Sequence, residues 1–155
     1  MKKLIFILFI LTLLVISGCT QLQGEEISFI DMNNMTNKLI CIGPNAYEQR
    51  EFIINSYEEY QKLMDFKQNM GQICNENFEL PEIDFSQNTL LGKFADGGGC
   101  GIDFIRNIYK NDANKKITYL IKVNEEGLCD MYASSMNWAL IPKVPSDYEV
   151  EFTVK

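Results

Sequence analysis

The spacing of the cysteines limits the chemistry that they can perform. Cys41, Cys74, Cys100 and Cys129 lie far apart, whereas structural zinc sites usually take their ligands in close C-x₂₋₄-C pairs. If the fifth cysteine, Cys19, is lipidated, these four remain, and an even number of cysteines in an exported domain predicts disulfides. Of the three possible pairings we predict Cys41–Cys74 and Cys100–Cys129, because each closes one local loop. Four free, buried thiols are the alternative.

The sequence contains no histidine. This removes the commonest general base, the commonest metal ligand and the usual partner of a catalytic serine or cysteine. Ser134-Ser135 could supply a nucleophile only with a lysine, and the chain has no S-x-x-K motif. We therefore predict a protein that is not an enzyme and that carries no cofactor.

Carboxylates flank the predicted disulfide and could do acid–base work or bind calcium. The chain has no D-x-D-x-D-G loop, and because 23% of its residues are charged, acids are expected to meet by chance. We predict no metal site and interpret these acids as solvated surface. They are Asp96, Asp103, Glu125, Glu126 and Asp130.

The run from Asp96 to Gly101 is the most unusual stretch. It lacks the lysine of a phosphate-binding loop, and it precedes a predicted strand rather than the helix of a dinucleotide site. We interpret it as a glycine bend or bulge that lets backbone or a disulfide pack closely. We interpret Trp138 as core, because a lone tryptophan in a small β domain is usually buried. An exposed anchor is the alternative, since interface hot spots favour tryptophan. The candidate binding residues are Asp96, Gly97, Gly98, Gly99, Gly101 and Trp138.

The N-terminal sequence predicts where the protein is located. Lys2 and Lys3 precede an apolar run over residues 4–16, which has the length of a signal-peptide core and is shorter than the about 20 residues of a membrane span. Ile16-Ser17-Gly18-Cys19 then resembles a lipobox, where prokaryotic processing attaches diacylglycerol to the cysteine. An uncleaved anchor and an ordinary secretory signal are the alternatives. We predict lipidation (with palmitate among the acyl chains) of Cys19 and attachment to the cell membrane or outer membrane, facing the periplasm or the outside.

Length and net charge limit the number of domains and the class of partner that the chain can have. The 155 residues suit one domain, and a net charge of −7 disfavours nucleic acid as a partner. We predict a signal peptide over residues 1–18, a lipidated cysteine and polar tether over 19–37, and one globular domain over 38–155.

The elements of this domain follow from periodicity and turn signals. Ser56 and Glu59 have the spacing of a capping box, which predicts a helix over residues 57–68. Residues 102–109 and 117–123 predict a hairpin. The fold class is α+β: one main helix and a mostly antiparallel sheet of about six to eight strands. The predicted strands are 27–30, 38–42, 48–55, 89–94, 102–109, 117–123, 132–140 and 148–154.

Several short motifs follow one another in an order that resembles a known family. A glycine turn commonly written Thr-Gly-Gly-Tyr in that family corresponds here to Gly98-Gly99-Cys100-Gly101-Ile102. Residues from about Ile53 to Phe152 thus resemble the C-terminal domain of PrcB, an accessory subunit of a bacterial surface protease complex, although the cysteines depart from that pattern. The other motifs are Ser56-Tyr57-Glu58-Glu59-Tyr60, Leu80-Pro81-Glu82-Ile83-Asp84-Phe85-Ser86, Leu90-Leu91-Gly92-Lys93-Phe94 and, more loosely, Trp138-Ala139-Leu140-Ile141-Pro142-Lys143-Val144.

The resemblance implies a non-catalytic domain, often on a lipoprotein, that stabilises or escorts an envelope protease. It supplies no catalytic residue. We therefore expect a lipid-anchored binding or scaffold module with an envelope protein as its partner. The alternative is a lipoprotein protease inhibitor that uses loops 96–101 and 136–138.

Overall fold

The computed structural model describes residues 24–32, 51–68 and 81–155. It confirms the predicted class, an α+β domain of mostly antiparallel strands with one main helix, and that helix has the predicted bounds. The signal peptide, Cys19, the strand over 38–42 and the Cys41–Cys74 pair lie outside the described residues. The elements are β1 (Glu25–Glu26), β2 (Ile30–Asp31), β3 (Glu51–Ile54), α1 (Tyr57–Gln68), β4 (Asn88–Gly98), β5 (Gly101–Asn111), β6 (Lys116–Glu126), β7 (Tyr132–Pro142) and β8 (Glu149–Val154).

The strands form two four-stranded sheets. Sheet 1 has the order β1-β5-β6-β8, and sheet 2 has the order β2-β7-β4-β3. The predicted hairpin is confirmed, because β5 and β6 pair antiparallel from Gly101 opposite Glu126 to Asn111 opposite Lys116. In contrast, β8 runs parallel to β6. The chain between them passes through β7 in the other sheet, which provides the long crossover that a parallel pair requires.

Sheet 2 is buried on both faces, because β4 carries apolar residues at consecutive positions instead of alternating ones. Leu91 and Ala95 face sheet 1 and pack with Ile108, Tyr119 and Ile121. The opposite face of sheet 2 packs against α1 and the chain before β4. The domain therefore has three layers: sheet 1, sheet 2 and the helix. The buried residues of the helix side are Met32, Phe52, Ile54, Tyr60, Phe85, Leu90 and Trp138.

Trp138 is central to the helix-side core and is fully buried. Gly92 lies directly opposite it on β4, and a Cβ at Gly92 would approach Cε3 of the indole to 2.6 Å. The absence of a side chain at residue 92 thus makes room for the ring, which also packs on Phe52 with 5.4 Å between centroids. The interpretation of Trp138 as core is confirmed, and the alternative of an exposed anchor is wrong.

The start of α1 is capped in a variant of the predicted way. The backbone N–H of Glu59 donates to Ser56 Oγ over 3.2 Å, as a capping box requires. The Glu59 carboxylate reaches back one residue further than expected and accepts from the backbone N–H of Asn55 at 2.7 Å. Two N–H groups at the helix start are satisfied in this way.

Residues 24–32 pack as part of the folded domain. Glu25 and Glu26 pair with Lys110 and Tyr109 of sheet 1, and Gly24 lies against the backbone of Lys110. The predicted edge strand over 27–30 is wrong in its bounds, because the Ile27 N–H still donates to the Ile108 carbonyl of sheet 1. The chain then crosses and pairs with sheet 2 from Ile30, where β2 begins. Part of the predicted tether is therefore a structural element of both sheets. In sheet 2, Ile30 pairs with Leu140 and Asp31 pairs with Ala139.

A bidentate ion pair joins the two sheets near this crossing. Both guanidinium nitrogens of Arg106 donate to the Asp31 carboxylate, over 2.8 and 2.7 Å. Nearby, the Tyr119 hydroxyl donates to the backbone carbonyl of Asn137 over 3.2 Å, and burial raises the pKa of this phenol far above its ordinary value. These polar groups hold the sheets together. Among the described residues no helix is long and apolar enough to cross a membrane.

Candidate functional site

One end of the two sheets is closed by a disulfide. Cys100, in the connection between β4 and β5, is bonded to Cys129, in the connection between β6 and β7, with Cα atoms 4.7 Å apart. This pairing is the predicted one and is confirmed. The four long strands begin or end here, since Gly98 pairs with Tyr132 and Gly101 pairs with Glu126. We call residues 97–101 and 125–132 the disulfide tip.

Backbone hydrogen bonds fix the two connections to each other. The Gly99 N–H donates to the Met131 carbonyl at 3.0 Å, and the Cys100 N–H donates to the Glu126 carbonyl at 2.6 Å. The N–H of Gly98 donates to Oε1 of Glu125 at 2.7 Å. The disulfide tip is thus held together by covalent and hydrogen bonds, which fix its backbone conformation.

Two glycines permit this arrangement. Gly99 has φ 144°, and Gly127 has φ 73°, both in the region that side-chain-bearing residues rarely adopt. A Cβ at Gly127 would lie 2.5 Å from Sγ of Cys100. Gly127 therefore allows the chain to pass directly over the disulfide.

The segment just after this glycine exposes apolar side chains to solvent. Leu128 is fully exposed, Tyr132 is 71% exposed and Met131 is 59% exposed. These are three of the five most exposed large hydrophobic residues that the structure describes, and they lie within five consecutive positions. Single exposed hydrophobic residues are ordinary, whereas several within a short segment make that segment a candidate interaction surface.

The surroundings of this cluster are acidic. Asp103, Glu126 and Asp130 are exposed, and no lysine or arginine occurs in residues 94–105 or 123–142. The nearest cations on sheet 1 are Lys122 and Lys155, whose backbones lie beside one another short of the strand end. In the described part of the chain no group of acids and cysteines lies close enough to hold a metal ion.

The predicted glycine bend is confined to Gly99 and Cys100. Gly97 and Gly98 continue β4, where they pair with Ala133 and Tyr132. Gly97 faces sheet 1, and a Cβ there would lie 2.7 Å from Cγ1 of Val123. Gly97 is therefore closed off by packing. Gly99 is buried as well, and Cys100 is the exposed residue of the bend.

The other predicted site residues separate into two groups. Asp96 and Gly101 lie at the tip end of β4 and β5, where Asp96 is half-buried opposite Ser134. The prediction that residues 136–138 form a loop is wrong, because they are the middle of β7 and Trp138 is buried. The structure does not bring Trp138 into the disulfide tip.

The apolar cluster itself was missed by sequence reasoning. Leu128, Met131 and Tyr132 surround Cys129 in a stretch that follows a Glu-Glu-Gly turn signal. Three large apolar residues in a connection between strands are unusual, because connections are commonly polar. That departure from polarity is the signal that could have found the cluster.

A shallow cleft of about 480 Å³ lies at the opposite end of the domain. Its two lysines already have partners: Lys110 donates to Asp112, which also accepts from the Tyr148 hydroxyl. The hydrogen bond from Lys110 is the main cause that lowers the pKa of Asp112. Lys143 donates to the backbone carbonyls of Asn55 and Phe85. The cleft therefore has no unpaired lysine to offer a ligand, and we take the disulfide tip as the candidate site.

Comparison with protein-family models, with curated proteins and with solved structures finds no match.

Proposed function

We propose that this protein is a lipid-anchored, non-catalytic binding module of a prokaryotic cell envelope, and that the disulfide tip contacts its protein partner. The observation that carries the proposal is the exposure of Leu128, Met131 and Tyr132 on a segment fixed by the Cys100–Cys129 bond. Apolar and aromatic side chains held in a set conformation bind with little loss of conformational entropy. Such residues are typical anchors of protein interfaces.

The sequence supports the envelope part of this proposal. The lipobox-like segment that ends at Cys19 favours a lipid anchor, and a disulfide is expected in an oxidising compartment outside the cytoplasm. The resemblance to the PrcB C-terminal domain suggests that the partner is an envelope protease, which the module stabilises or escorts. The absence of histidine from the whole chain supports a role without catalysis.

Site-specific photocrosslinking in the native envelope tests the binding surface. A photoreactive phenylalanine analogue replaces Tyr132 in one variant and Tyr57 in a matched control, which is 65% exposed on the helix. We expect one protein to be crosslinked from position 132 and not from position 57. Adding Leu128→Ser should reduce that crosslink about tenfold or more, the usual effect of losing an interface anchor. Equal crosslinking from both positions, or none from position 132, would contradict the proposal.

Protease inhibition is a second candidate, supported by a different property of the same segment. Leu128 is fully exposed beside Cys129 in a connection that is neither strand nor helix. A clamped segment of this kind suits an active-site cleft, because its bound conformation is already formed. The test is a panel of endoproteases assayed with the wild-type protein and with Leu128→Gly. Inhibition that disappears in the variant would favour this candidate, and an unaffected panel would remove it.

A further inference from the structure

The charge around the apolar cluster indicates what kind of protein surface it fits. Glu126 and Asp130 are exposed at the disulfide tip, and Asp103 is exposed two residues beyond it on β5. No Lys or Arg lies in the strand ends or connections that form the tip. At neutral pH the tip is therefore a negative surface with an apolar centre. The lysines at the opposite end of the domain, by contrast, are largely paired with acids, as in Lys115–Asp147 and Lys116–Glu151.

We infer that the partner presents an apolar pocket bordered by lysine or arginine side chains. This inference rests on the proposed function of the disulfide tip and specifies the chemistry of its partner. Leu128 and Tyr132 would fill the pocket, and the surrounding carboxylates would face the basic border. Complementary charge at the rim of an interface accelerates association and suppresses wrong partners more than it adds affinity. An anionic lipid surface is excluded by the same charge, since it would repel the tip.

The carboxylates differ in their availability to a partner. Glu125 accepts the hydrogen bond from the Gly98 backbone and so serves the tip's own conformation. The side chains of Asp103, Glu126 and Asp130 are exposed, and replacing them by amides leaves the described hydrogen bonds of the tip intact. These three therefore test the charge of the surface without disturbing its shape.

The experiment selects a phage-displayed library of random peptides on the full-length protein in detergent micelles. We expect the selected peptides to combine aromatic or aliphatic residues with lysine or arginine. The triple variant Asp103→Asn/Glu126→Gln/Asp130→Asn should bind these peptides about tenfold more weakly at low salt. The difference should shrink at high salt, because exposed charges are screened.

A matched control removes three exposed carboxylates elsewhere, by Glu25→Gln/Glu82→Gln/Glu149→Gln. This control should keep wild-type affinity. Selected peptides that are acidic or uncharged, or equal weakening by both triple variants, would overturn the inference about charge and leave the proposed function standing. No enrichment of any peptide would also overturn it.

A separate variant distinguishes failure of the proposed function. Leu128→Ser/Tyr132→Ser removes the apolar anchors, and Ile105→Ser/Tyr57→Ser removes two exposed hydrophobic residues away from the tip. If the selected peptides still bind the Leu128→Ser/Tyr132→Ser variant, whatever their charge, they bind outside the disulfide tip. The disulfide tip would then lose its assigned role, and the inference about its partner would fall with it.

Discussion

Removing the Cys100–Cys129 disulfide should destabilise the domain by a calculable amount. The bond joins residues 29 positions apart. In the chain-entropy description, closing a loop of that length restricts the unfolded chain by about 3.6 kcal/mol at 25 °C. The variant Cys100→Ser/Cys129→Ser should therefore unfold with a free energy lower by about that amount, which is a large share of the usual 5–15 kcal/mol of a small domain.

Urea unfolding of the wild-type and variant proteins, both under oxidising conditions, measures the difference. Substitution is preferable to a reductant, because a reductant would also act on the predicted Cys41–Cys74 bond. The variant should also show a larger dependence on urea, since an unfolded chain without the crosslink exposes more surface.

A loss below about 1 kcal/mol, with an unchanged urea dependence, would refute the reasoning. It would mean that the β5–β6 hairpin, whose ends at Gly101 and Glu126 are already paired, keeps the loop closed in the unfolded ensemble. The disulfide would then serve the shape of the tip and not the stability of the domain.

Three further predictions concern the core and the tip. Gly127→Ala should lower the free energy of unfolding by about 1–3 kcal/mol in urea, because the φ of Gly127 is 73° and the new Cβ would meet the Cys100 sulfur. The control Gly98→Ala should lower it less, because a Cβ at Gly98 would have no neighbour nearer than 3.5 Å. Trp138→Ala should lower the free energy of unfolding by about 3–5 kcal/mol, and a smaller loss would contradict its central place in the core. Burial raises the pKa of Tyr60 from 10.0 to about 12, so stability from this group is complete below pH 10.0 and is lost as the pH rises toward about 12. Tyr60→Phe should flatten the pH dependence of unfolding over that interval, and an unchanged slope would refute the assignment.

The sequence predicted those features that depend on neighbouring residues. The helix over 57–68 follows from the Ser56 cap and the spacing of Tyr57 and Tyr60, and the hairpin follows from two apolar runs around a polar turn. The Cys100–Cys129 pair was predicted because it closes a local loop, and the hairpin brings its two ends together. Local signals of this kind act before tertiary structure forms.

The features that the sequence did not predict depend on contacts between distant segments. The division of the strands into two sheets and the parallel pairing of β8 with β6 are properties of topology. The sequence favours a buried Trp138, but it does not show that the opposing Gly92 makes room for the ring. The exposure of Leu128 also depends on tertiary structure, because the hydropathy of a leucine alone would favour the core.

For a protein with the proposed lipid anchor, the length of the strands limits the height of the disulfide tip above the membrane. Gly24 lies against Lys110, at the end of β5 away from the disulfide, and the ten residue steps from Asn111 to Gly101 span about 33 Å. If Cys19 carries the predicted lipid, the five steps from it to Gly24 add at most about 18 Å. An upright domain then holds Leu128 no more than about 50 Å from the bilayer surface. A partner must therefore expose its docking face within that distance, which favours a protein that is itself attached to the same membrane.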